Sequence, residues 1–424
     1  MGLCCSNPEF SFSKSGPLYP NNYSLLIPYH DHKAQRIFKK QVSCTLTFPV
    51  HEYSKVSNLG NQEISITGCV LPGMDPSQVY YKECQDNFVC IVTPDFIISV
   101  LLDGHGKHGK LVSEHCKKHI ETYCKNKLYK IQENPAKYVE KIILNCDRNL
   151  NSSKIDTNLS GTTAVVVYFG LHSIHVSSVG DSRAIIATRP LSICKTPIKT
   201  LQAVPLTIDQ KPNHASELKR ITDSGGLVQR AISKNGKHIG PYRVWIKGQT
   251  LPGLAMSRSI GDKLATSVGV TSNPIIQTFP HYANTDKFIV LASDGIWDVM
   301  TNDEVALYLE KFSKLANPKG LRAQFPVTPA KATIARLLCE EARRRWIEVV
   351  KKESVLIDDI SCLVLEIGED KEVFIKSLPE RVIESRNSLD DIEGSGTLDV
   401  LDFSRNDPNR GTSVNKEDIK ELLL

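Results

Sequence analysis

The stretch "FIISVLLDGHGKHG", residues 96–109, joins an uninterrupted apolar run to an aspartate, a glycine and a histidine. The first seven residues are rich in β-branched and large apolar side chains, which is typical of a buried strand. Asp103 follows directly, where loss of hydration would penalise the charge of a carboxylate. One interpretation is a plain turn, because Asp-Gly is common in turns. The other is that Asp103 meets a cation there, which requires partners elsewhere in the chain.

Composition excludes several classes of protein. The 424 residues suffice for one large domain or two ordinary ones, and 41% of them are hydrophobic. A net charge of +5 over this length is no signature of nucleic-acid binding, so we expect no nucleic-acid partner. No apolar run approaches the roughly 20 residues of a spanning helix, and no secretory leader is visible. The 12 cysteines are scattered without a CxxC, which argues against structural zinc and favours reduced thiols.

The order of predicted elements gives the fold class. Residues 1–40 show no sustained period and predict a flexible arm, 41–367 a folded domain, and 368–424 a polar tail that is partly disordered or regulatory. Strands are predicted at 41–48 and 63–70, three antiparallel strands within 162–188, and another at 361–367. Helices are predicted at 138–150, 214–226 and 329–352, and from 110 to 131 one helix face collects Leu111, Val112, His115, Cys116, His119, Tyr123 and Ile131. Because strands and helices come in runs, the pattern favours an α+β fold with antiparallel sheets.

Aspartates recur where apolar strands end or begin. The positions that share this feature with Asp103 are Asp86, Asp181, Asp294 and the pair Asp358-Asp359. Each one taken alone is more often a turn or cap residue. Together they indicate an oxygen-rich pocket, and Mg²⁺ and Mn²⁺ prefer carboxylate, carbonyl and water ligands. Two such ions side by side can bridge a hydroxide and hold a phosphoryl oxygen.

Nine motifs in order resemble those of the type 2C metal-dependent protein serine/threonine phosphatases, and most closely the plant-like subgroup. They are "LLDGHGKHG", "SGTTAVVV", "VGDSRA", "LTIDQKP", "ELKRITDSGGLV", "YRVW", "PGLAMSRSIGD", "LASDGIWDVM" and "DDIS", spread over roughly residues 60–366. The resemblance implies a β-sandwich of two antiparallel sheets flanked by helices, with a dinuclear metal site at one edge. It also implies that 41–367 is a catalytic domain that hydrolyses phosphoserine and phosphothreonine by attack of metal-bound hydroxide.

The resemblance also assigns roles to single residues. Asp103 would bridge two Mg²⁺ or Mn²⁺ ions, with the Gly104 carbonyl on one ion and Asp294 and Asp358 completing the other. Asp86 would hold bound waters, and a weaker third ion would lie at Asp181 and Asp298 beside Asp294. His105 would be the general acid for the leaving serine or threonine oxygen. The phosphate-gripping position falls on Lys82, with Tyr81 as the other candidate, and Gln85 stands where many relatives have Glu.

Other motif residues are predicted to be structural or to contact the substrate. Ser160–Thr163 would shape the sheet beside the pocket, and Arg258 would pair with Asp262 to brace it. The loop at 229–253 lies where the family carries its flap over the substrate cleft. Its basic side chains are candidates for contacts to acidic or phosphorylated partners, although a solvated basic loop is the simpler interpretation: Lys234, Lys237, His238, Arg243 and Lys247.

Two other functions remain open at this point. One is a catalytically inactive phosphoprotein-binding module on the same fold, which loss of a metal-binding aspartate would favour; none is lost at the positions above. The other is a dinuclear hydrolase of small phosphate esters, which would need a deep, closed pocket. For the leading function we expect a monomer with phosphorylated protein substrates.

The first six residues, "MGLCCS", fit the acceptor pattern for N-myristoylation of Gly2. One myristoyl chain gives only marginal membrane affinity, and a second signal is needed for stable anchoring. Cys4 and Cys5 are placed for S-palmitoylation. The basic residues Lys33, Arg36, Lys39 and Lys40 would add weak attraction to anionic lipid. The start of the chain therefore predicts a cytoplasmic enzyme held at the cytosolic face of a membrane, and the alternative is an unmodified, flexible arm.

Overall fold

The computed structural model describes residues 50–75, 80–189, 200–233, 236–313, 332–350 and 356–368. The predicted arm at 1–40 with Gly2, Cys4 and Cys5, the strand predicted at 41–48 and the tail from 369 lie outside the described residues. None of the helices in the described ranges has the length and apolar character that a membrane span requires.

Along the described chain, groups of consecutive strands are separated by groups of helices. The strands are β1 His51–Leu59, β2 Gln62–Leu71, β3 Met74–Asp75, β4 Tyr80–Tyr81, β5 Asn87–Val92, β6 Phe96–Leu102, β7 Gly104–His105, β8 Gly161–Thr162, β9 Ala164–Gly170, β10 Ser173–Val179, β11 Arg183–Thr188, β12 Gln202–Pro205, β13 Gly226–Ile232, β14 His238–Ile246, β15 Pro252–Leu254, β16 Ile260–Gly261, β17 Ile275–Pro280, β18 Asp286–Ala292 and β19 Ile360–Ile367. The helices are α1 Gly109–Lys125, α2 Leu128–Glu133, α3 Pro135–Asn151, α4 Ala215–Asp223, α5 Lys263–Thr266, α6 Asp294–Trp297, α7 Asn302–Phe312 and α8 Ile334–Val350.

Two antiparallel sheets form the centre of the fold. Within the described ranges, one sheet has the strand order β1-β2-β19-β18-β11-β12 and the other the order β17-β10-β9-β6-β5. β6 lies between β5 and β9, with Ser99 opposite Cys90 on one side and Val167 on the other. All seven residues of β6 are buried. The prediction of a buried strand at this position is confirmed.

Among the described residues, the buried side chains of the sandwich form three layers, which explains why β6 is apolar on both faces. A fourth, smaller cluster includes Ile221 of α4 and Val244 of β14. Ile97, Leu101, Leu291 and Leu363 belong to a core between the two sheets. A second core covers the outer face of the five-stranded sheet with α1, α2 and α3. A third covers the outer face of the six-stranded sheet with α6, α7 and α8. The predicted α+β sandwich with helices on both outer faces is therefore confirmed.

The chain leaves one sheet for the other after β10. The sequence predicts three antiparallel strands within 162–188, and β9 and β10 do pair with each other. β11, however, pairs with β18 and β12 in the opposite sheet. The turn between β10 and β11 therefore crosses from one sheet to the other at an edge of the sandwich, and it carries Asp181.

The helix predicted from 110 to 131 is two helices, and its predicted face is buried only in part: Val112, Cys116 and Ile131 are buried, whereas the histidines of that face are partly exposed. α1 ends at Lys125, and Ile131 belongs to α2. Residues four apart face the core in α1: Val112, Cys116, Ile120 and Cys124. Leu111 is exposed. On α4 the buried residues are Glu217 and Ile221, whereas Leu218 is exposed.

Candidate active site

Asp103 and Gly104 lie where β6 gives way to β7. The backbone of Thr163 donates to the Asp103 carbonyl at 2.9 Å, and the Asp103 N–H donates to Thr163 Oγ1 at 3.1 Å. Thr163 Oγ1 also contacts Ser182 Oγ at 2.7 Å, which ties Asp103 to the turn that carries Asp181. A Cβ on Gly104 would lie 2.7 Å from the Gln85 carbonyl oxygen, so this position admits no side chain. Ser160–Thr163, predicted to shape the sheet beside the pocket, contains β8, which pairs with Gly104 and His105 of β7.

Asp294 begins the short helix α6, directly after β18 and Ser293. A Cβ on Gly295 would lie 2.1 Å from the Asp359 carbonyl oxygen, so α6 packs directly on the backbone that precedes β19. Asp298 follows the last residue of α6 and is exposed. Asp294 and Gly295 therefore lie where the end of β18 meets the start of β19 in the six-stranded sheet.

The neighbours Asp358 and Asp359 have different surroundings. Asp359 is buried and accepts hydrogen bonds from the N–H groups of Gly73 and Gln85, so it braces the chain before β5. The side chain of Asp358 is 56% exposed and forms an ion pair with Lys82 at 3.0 Å. Asp86 is buried, and its Oδ2 accepts a hydrogen bond from Ser361 Oγ at 2.6 Å.

The carboxylates repel one another electrostatically. Burial raises the pKa of Asp103 well above its usual value, and further increases come from a set of nearby carboxylates: Asp86, Asp294, Asp358 and Asp181. Burial, followed by the charge of Asp359, raises the pKa of Asp86 to about 8. Burial, followed by the charge of Asp181, raises the pKa of Asp294. The structure therefore brings together at one edge the aspartates that the sequence singles out.

The donor set fits a hard divalent cation. Within the cluster, three buried carboxylate oxygens have no hydrogen-bond partner among the described residues: Asp86 Oδ1, Asp181 Oδ1 and Asp294 Oδ1. Leaving such atoms unpaired is costly, and a cation would both accept their lone pairs and offset the repulsion. Among the described residues, no group of three or more acidic, histidine or cysteine side chains is arranged to hold an ion alone. Backbone carbonyl and water ligands would have to complete the coordination, which suits Mg²⁺ because it usually keeps several waters.

Lys211 is a site residue that the sequence analysis missed. Its Nζ donates to Asp181 Oδ2 at 2.5 Å. Burial lowers the pKa of Lys211, but the charges of Asp181, Asp294 and Asp298 outweigh burial and raise it overall. Gln210 fixes this segment, because its Oε1 accepts from the Gly180 N–H and its Nε2 donates to Ser178 Oγ. Lys211 belongs to the motif "LTIDQKP", but its partner Asp181 lies 30 positions earlier, so only the structure reveals the pair.

The predicted pairing of Arg258 with Asp262 is wrong. Arg258 binds Glu217 instead, with Nη2 2.7 Å from Oε1. Asp262 is 2.6 Å from His105 Nε2. Burial lowers the pKa of His105, but the charge and hydrogen bond of Asp262 outweigh burial and raise it overall. Arg258 and Asp262 are close in sequence, but the short strand β16 lies between them, and Asp262 itself has a left-handed backbone conformation. The two side chains therefore reach different partners.

Lys82 lies at the outer rim of the cluster. Burial lowers its pKa, but Asp358 and Asp359 outweigh burial and raise it, so the ammonium group stays charged. A cavity of about 380 Å³ opens beside Lys82 and Asp86 and is also lined by Lys110 and Lys117. The side chain of Tyr81, the other candidate for the phosphate position, lies outside the described residues.

The loop at 229–253 folds as the three-stranded sheet β13-β14-β15. Lys237, His238 and Lys247 are exposed on it. Arg243 is partly buried and donates to the Gly253 carbonyl at 2.6 Å, so it serves the sheet itself. Lys234 lies outside the described residues.

Comparison with known proteins identifies the chain. A family profile described as "Protein phosphatase 2C" matches residues 96–346, more than half of the chain. Over 273 residues the chain is 32% identical to "Probable protein phosphatase 2C 61" of Arabidopsis thaliana, which covers 63% of this chain and 75% of that protein. The chain belongs to the protein phosphatase 2C family. Another relative in that plant, "Probable protein phosphatase 2C 72", is 30% identical over 289 residues, 65% of this chain and 79% of that protein.

The fold agrees with the family. The structure of a serine-threonine phosphatase 2C from Toxoplasma gondii superimposes with a TM-score of 0.54 at 18% identity, over 76% of this chain and 100% of that one. As a protein phosphatase 2C, the chain is a metal-dependent serine/threonine protein phosphatase, and therefore a hydrolase. The predicted family, fold and enzyme class are confirmed, and the inactive alternative gains no support.

Proposed function

We propose that this protein phosphatase 2C binds two Mg²⁺ or Mn²⁺ ions at its carboxylate cluster and a weaker third ion beside them. Asp103, the Gly104 carbonyl, Asp294 and Asp358 would hold the core ions, with Asp86 acting through water. Asp181 and Asp298 would serve the third ion. The observation that supports this set most directly is the trio of buried, unpaired oxygens on Asp86, Asp181 and Asp294. When bound, such ions polarise phosphoryl oxygens and acidify water.

His105 and Lys82 are the residues of this chain that would act on the substrate. The His105 side chain is 21% exposed, and its Nε2 is held by Asp262, so one ring nitrogen remains to protonate the leaving oxygen. Lys82 stays charged at the rim of the cluster and would hold a phosphate oxygen as a point charge. Its present partner, Asp358, is more than half exposed, so this ion pair costs little to rearrange.

Phosphorylated proteins are the proposed substrates rather than small phosphate esters. Asp358 and Asp298 at the outer rim of the cluster are exposed, and so are Lys237, His238 and Lys247 of the β13-β14-β15 sheet. An open rim of this kind admits a phosphorylated side chain carried on a large partner. A small-ester hydrolase would instead enclose its substrate in a deep pocket.

Calorimetric titration with Mn²⁺ tests the proposed ligand set without depending on turnover. The parent chain, stripped of metal, should bind two ions tightly and a third more weakly. Asp103→Asn should lose tight binding, because the Asp103 carboxylate would serve both core ions. A variant of Asp223, an exposed carboxylate on α4, is the matched control and should leave the isotherm unchanged. Unaltered tight binding in Asp103→Asn would contradict the assignment.

The second proposal concerns localisation and rests on the sequence "MGLCCS" alone. Myristoylation of Gly2 together with palmitoylation of Cys4 and Cys5 would hold the enzyme at the cytosolic face of a membrane, because two acyl signals suffice for stable anchoring. Fractionation of native cells tests it. Gly2→Ala should move the protein to the soluble fraction, whereas Ser11→Ala, outside the motif, should not. A parent protein found wholly in the soluble fraction would refute the anchor and leave the enzyme assignment intact.

A further inference from the structure

The carboxylate of Asp262 lies against the ring of His105. His105 Nε2 and Asp262 Oδ2 are 2.6 Å apart, and the Asp262 side chain is only 3% exposed. His105 Nδ1 is also buried and bonds to no side chain in the described part of the chain; the ring's other polar neighbour is the backbone of Asp103. One ring nitrogen is therefore bound by a side chain, and the other has no side-chain partner.

The position of Asp262 is held from several directions. Ser259 Oγ donates to the same Oδ2 at 2.6 Å, and the Asp262 N–H donates to the Ser160 carbonyl at 3.1 Å. The short strands β7, β8 and β16 form one small sheet in which His105 pairs with Gly161, and Gly161 pairs with Gly261. A single three-stranded unit thus carries both members of the His105–Asp262 pair.

Two backbone features accompany the placement of this carboxylate. Asp262 has φ 46°, and in the described ranges it is the only non-glycine residue with positive φ. That conformation costs roughly 1–2 kcal/mol for a residue with a Cβ. A Cβ on Gly161 would lie 2.2 Å from Asp262 Oδ2, so the carboxylate needs a glycine beneath it. Strained backbone of this kind clusters at functional sites.

We propose that Asp262 is a positioning residue for His105. It accepts a hydrogen bond from Nε2–H, fixes the orientation of the ring, and leaves Nδ1 as the nitrogen that donates to the leaving oxygen. This inference rests on the proposed general-acid role of His105. As the P–O bond breaks, the Nδ1 proton passes to the serine or threonine oxygen. The ring is left neutral, with Nε2–H still bonded to Asp262.

The competing explanation is that Asp262 only braces the edge of the sheet. The two roles differ in their dependence on the leaving group. An alkoxide leaving from phosphothreonine needs a proton, whereas an aryl oxide is stable enough to leave with little protonation. Misplacing the acid should therefore slow a phosphopeptide far more than an aryl phosphate, while a general loss of structure slows both equally.

The test compares kcat and KM on a phosphothreonine peptide and on p-nitrophenyl phosphate, using full-length metal-loaded enzyme. Asp262→Asn is the variant of choice, because Asn tolerates a positive φ as well as Asp does. Its kcat on the peptide should fall roughly 10–100-fold, the usual effect of removing a group that orients another. The KM should hold, and the aryl phosphate rate should change little. Combining Asp262→Asn with His105→Gln should cost little beyond His105→Gln alone.

Glu217→Gln is the matched control. Glu217 is another buried carboxylate in the same region, where it binds Arg258, and it forms none of the hydrogen bonds of His105. Any loss in this variant should be the same factor on both substrates. Melting temperatures of all variants separate lost folding from lost positioning.

Two results would contradict the inference, and they distinguish failure of the positioning role from failure of the general-acid role. If His105→Gln is selective for the peptide but Asp262→Asn slows both substrates equally, Asp262 is a brace and the general acid stands. If His105→Gln itself slows both substrates equally, the general-acid role fails, and the positioning role fails with it.

Discussion

Lys211 Nζ lies 2.5 Å from Asp181 Oδ2, so an internal ammonium group already binds the carboxylate proposed for the third ion. Asp181 Oδ1 has no hydrogen-bond partner within the described residues. Lys211 also interacts electrostatically with Asp294 and Asp298. A third cation at this position must therefore share Asp181 with Lys211 or displace it, which gives a physical reason for weak binding there.

Removing the ammonium group should tighten the third ion. In Lys211→Met the weak phase of a Mn²⁺ calorimetric titration should shift to roughly tenfold lower concentration, since loss of a nearby positive charge is worth about 1.4 kcal/mol when partly screened. Lys211→Arg keeps the charge and should leave that phase near its parental position. If Lys211→Met weakens the third ion or leaves it unaltered, Lys211 does not compete with it.

Asp103→Asn should have opposite effects on stability with and without metal. Burial and four neighbouring carboxylates raise the pKa of Asp103, so a neutral amide removes repulsion from the metal-free fold. The variant should melt at or above the parental temperature in chelator, and it should gain far less than the parent when Mg²⁺ is added. Asp223→Asn, at an exposed carboxylate, should respond to Mg²⁺ as the parent does. Equal Mg²⁺-induced shifts in Asp103→Asn and parent would remove Asp103 from the site.

Glu217 should make the fold sensitive to acid. Burial raises its pKa, but hydrogen bonds from Arg258, Arg220 and Ser257 outweigh burial and lower the pKa from 4.5 to about 2. Because the folded pKa lies below the unfolded one, the stabilisation is present above about pH 4.5 and is lost as the pH falls towards 2. It amounts to at most about 3 kcal/mol. Denaturant unfolding between pH 7 and pH 3 should show a smaller loss of stability in Glu217→Gln than in the parent. If the free energy of unfolding falls equally with pH in Glu217→Gln and in the parent, Glu217 is not the source of the acid sensitivity.

Local patterns in the sequence predicted the features that depend on neighbouring residues in the chain, such as buried strands and the aspartates at their ends. The apolar run before Asp103 is the fully buried strand β6, and Asp294 and Asp358 lie where the motifs placed them, beside the ends of β18 and β19. Long-range partners were harder to predict. Asp262 contacts His105, 157 positions away, and the sequence distance of four residues to Arg258 suggested the wrong pair. Nothing in the sequence of β11 shows that it pairs in the opposite sheet from β10.

Helix boundaries show the same limit. The periodic pattern continues past Lys125, but the chain turns at Asn126 before α2 begins at Leu128. The spacing alone placed His115 and His119 on the buried face of the helix, but both are only partly buried. Each bonds through Nε2 to an asparagine of α3: His115 to Asn149, and His119 to Asn145. A spacing rule detects a helix face, but hydrogen bonds between neighbouring helices decide which polar residues lie at its margin.

Turnover of a phosphothreonine peptide by the metal-stripped parent chain, before and after addition of Mg²⁺ or Mn²⁺, tests the central claim most directly. Bound cations would offset the repulsion within the carboxylate cluster and would acidify a water molecule. The stripped enzyme should therefore be inactive, and either ion should restore turnover in the parent but not in Asp103→Asn. Parental turnover that persists in excess chelator, or full recovery of Asp103→Asn on adding either ion, would contradict the account.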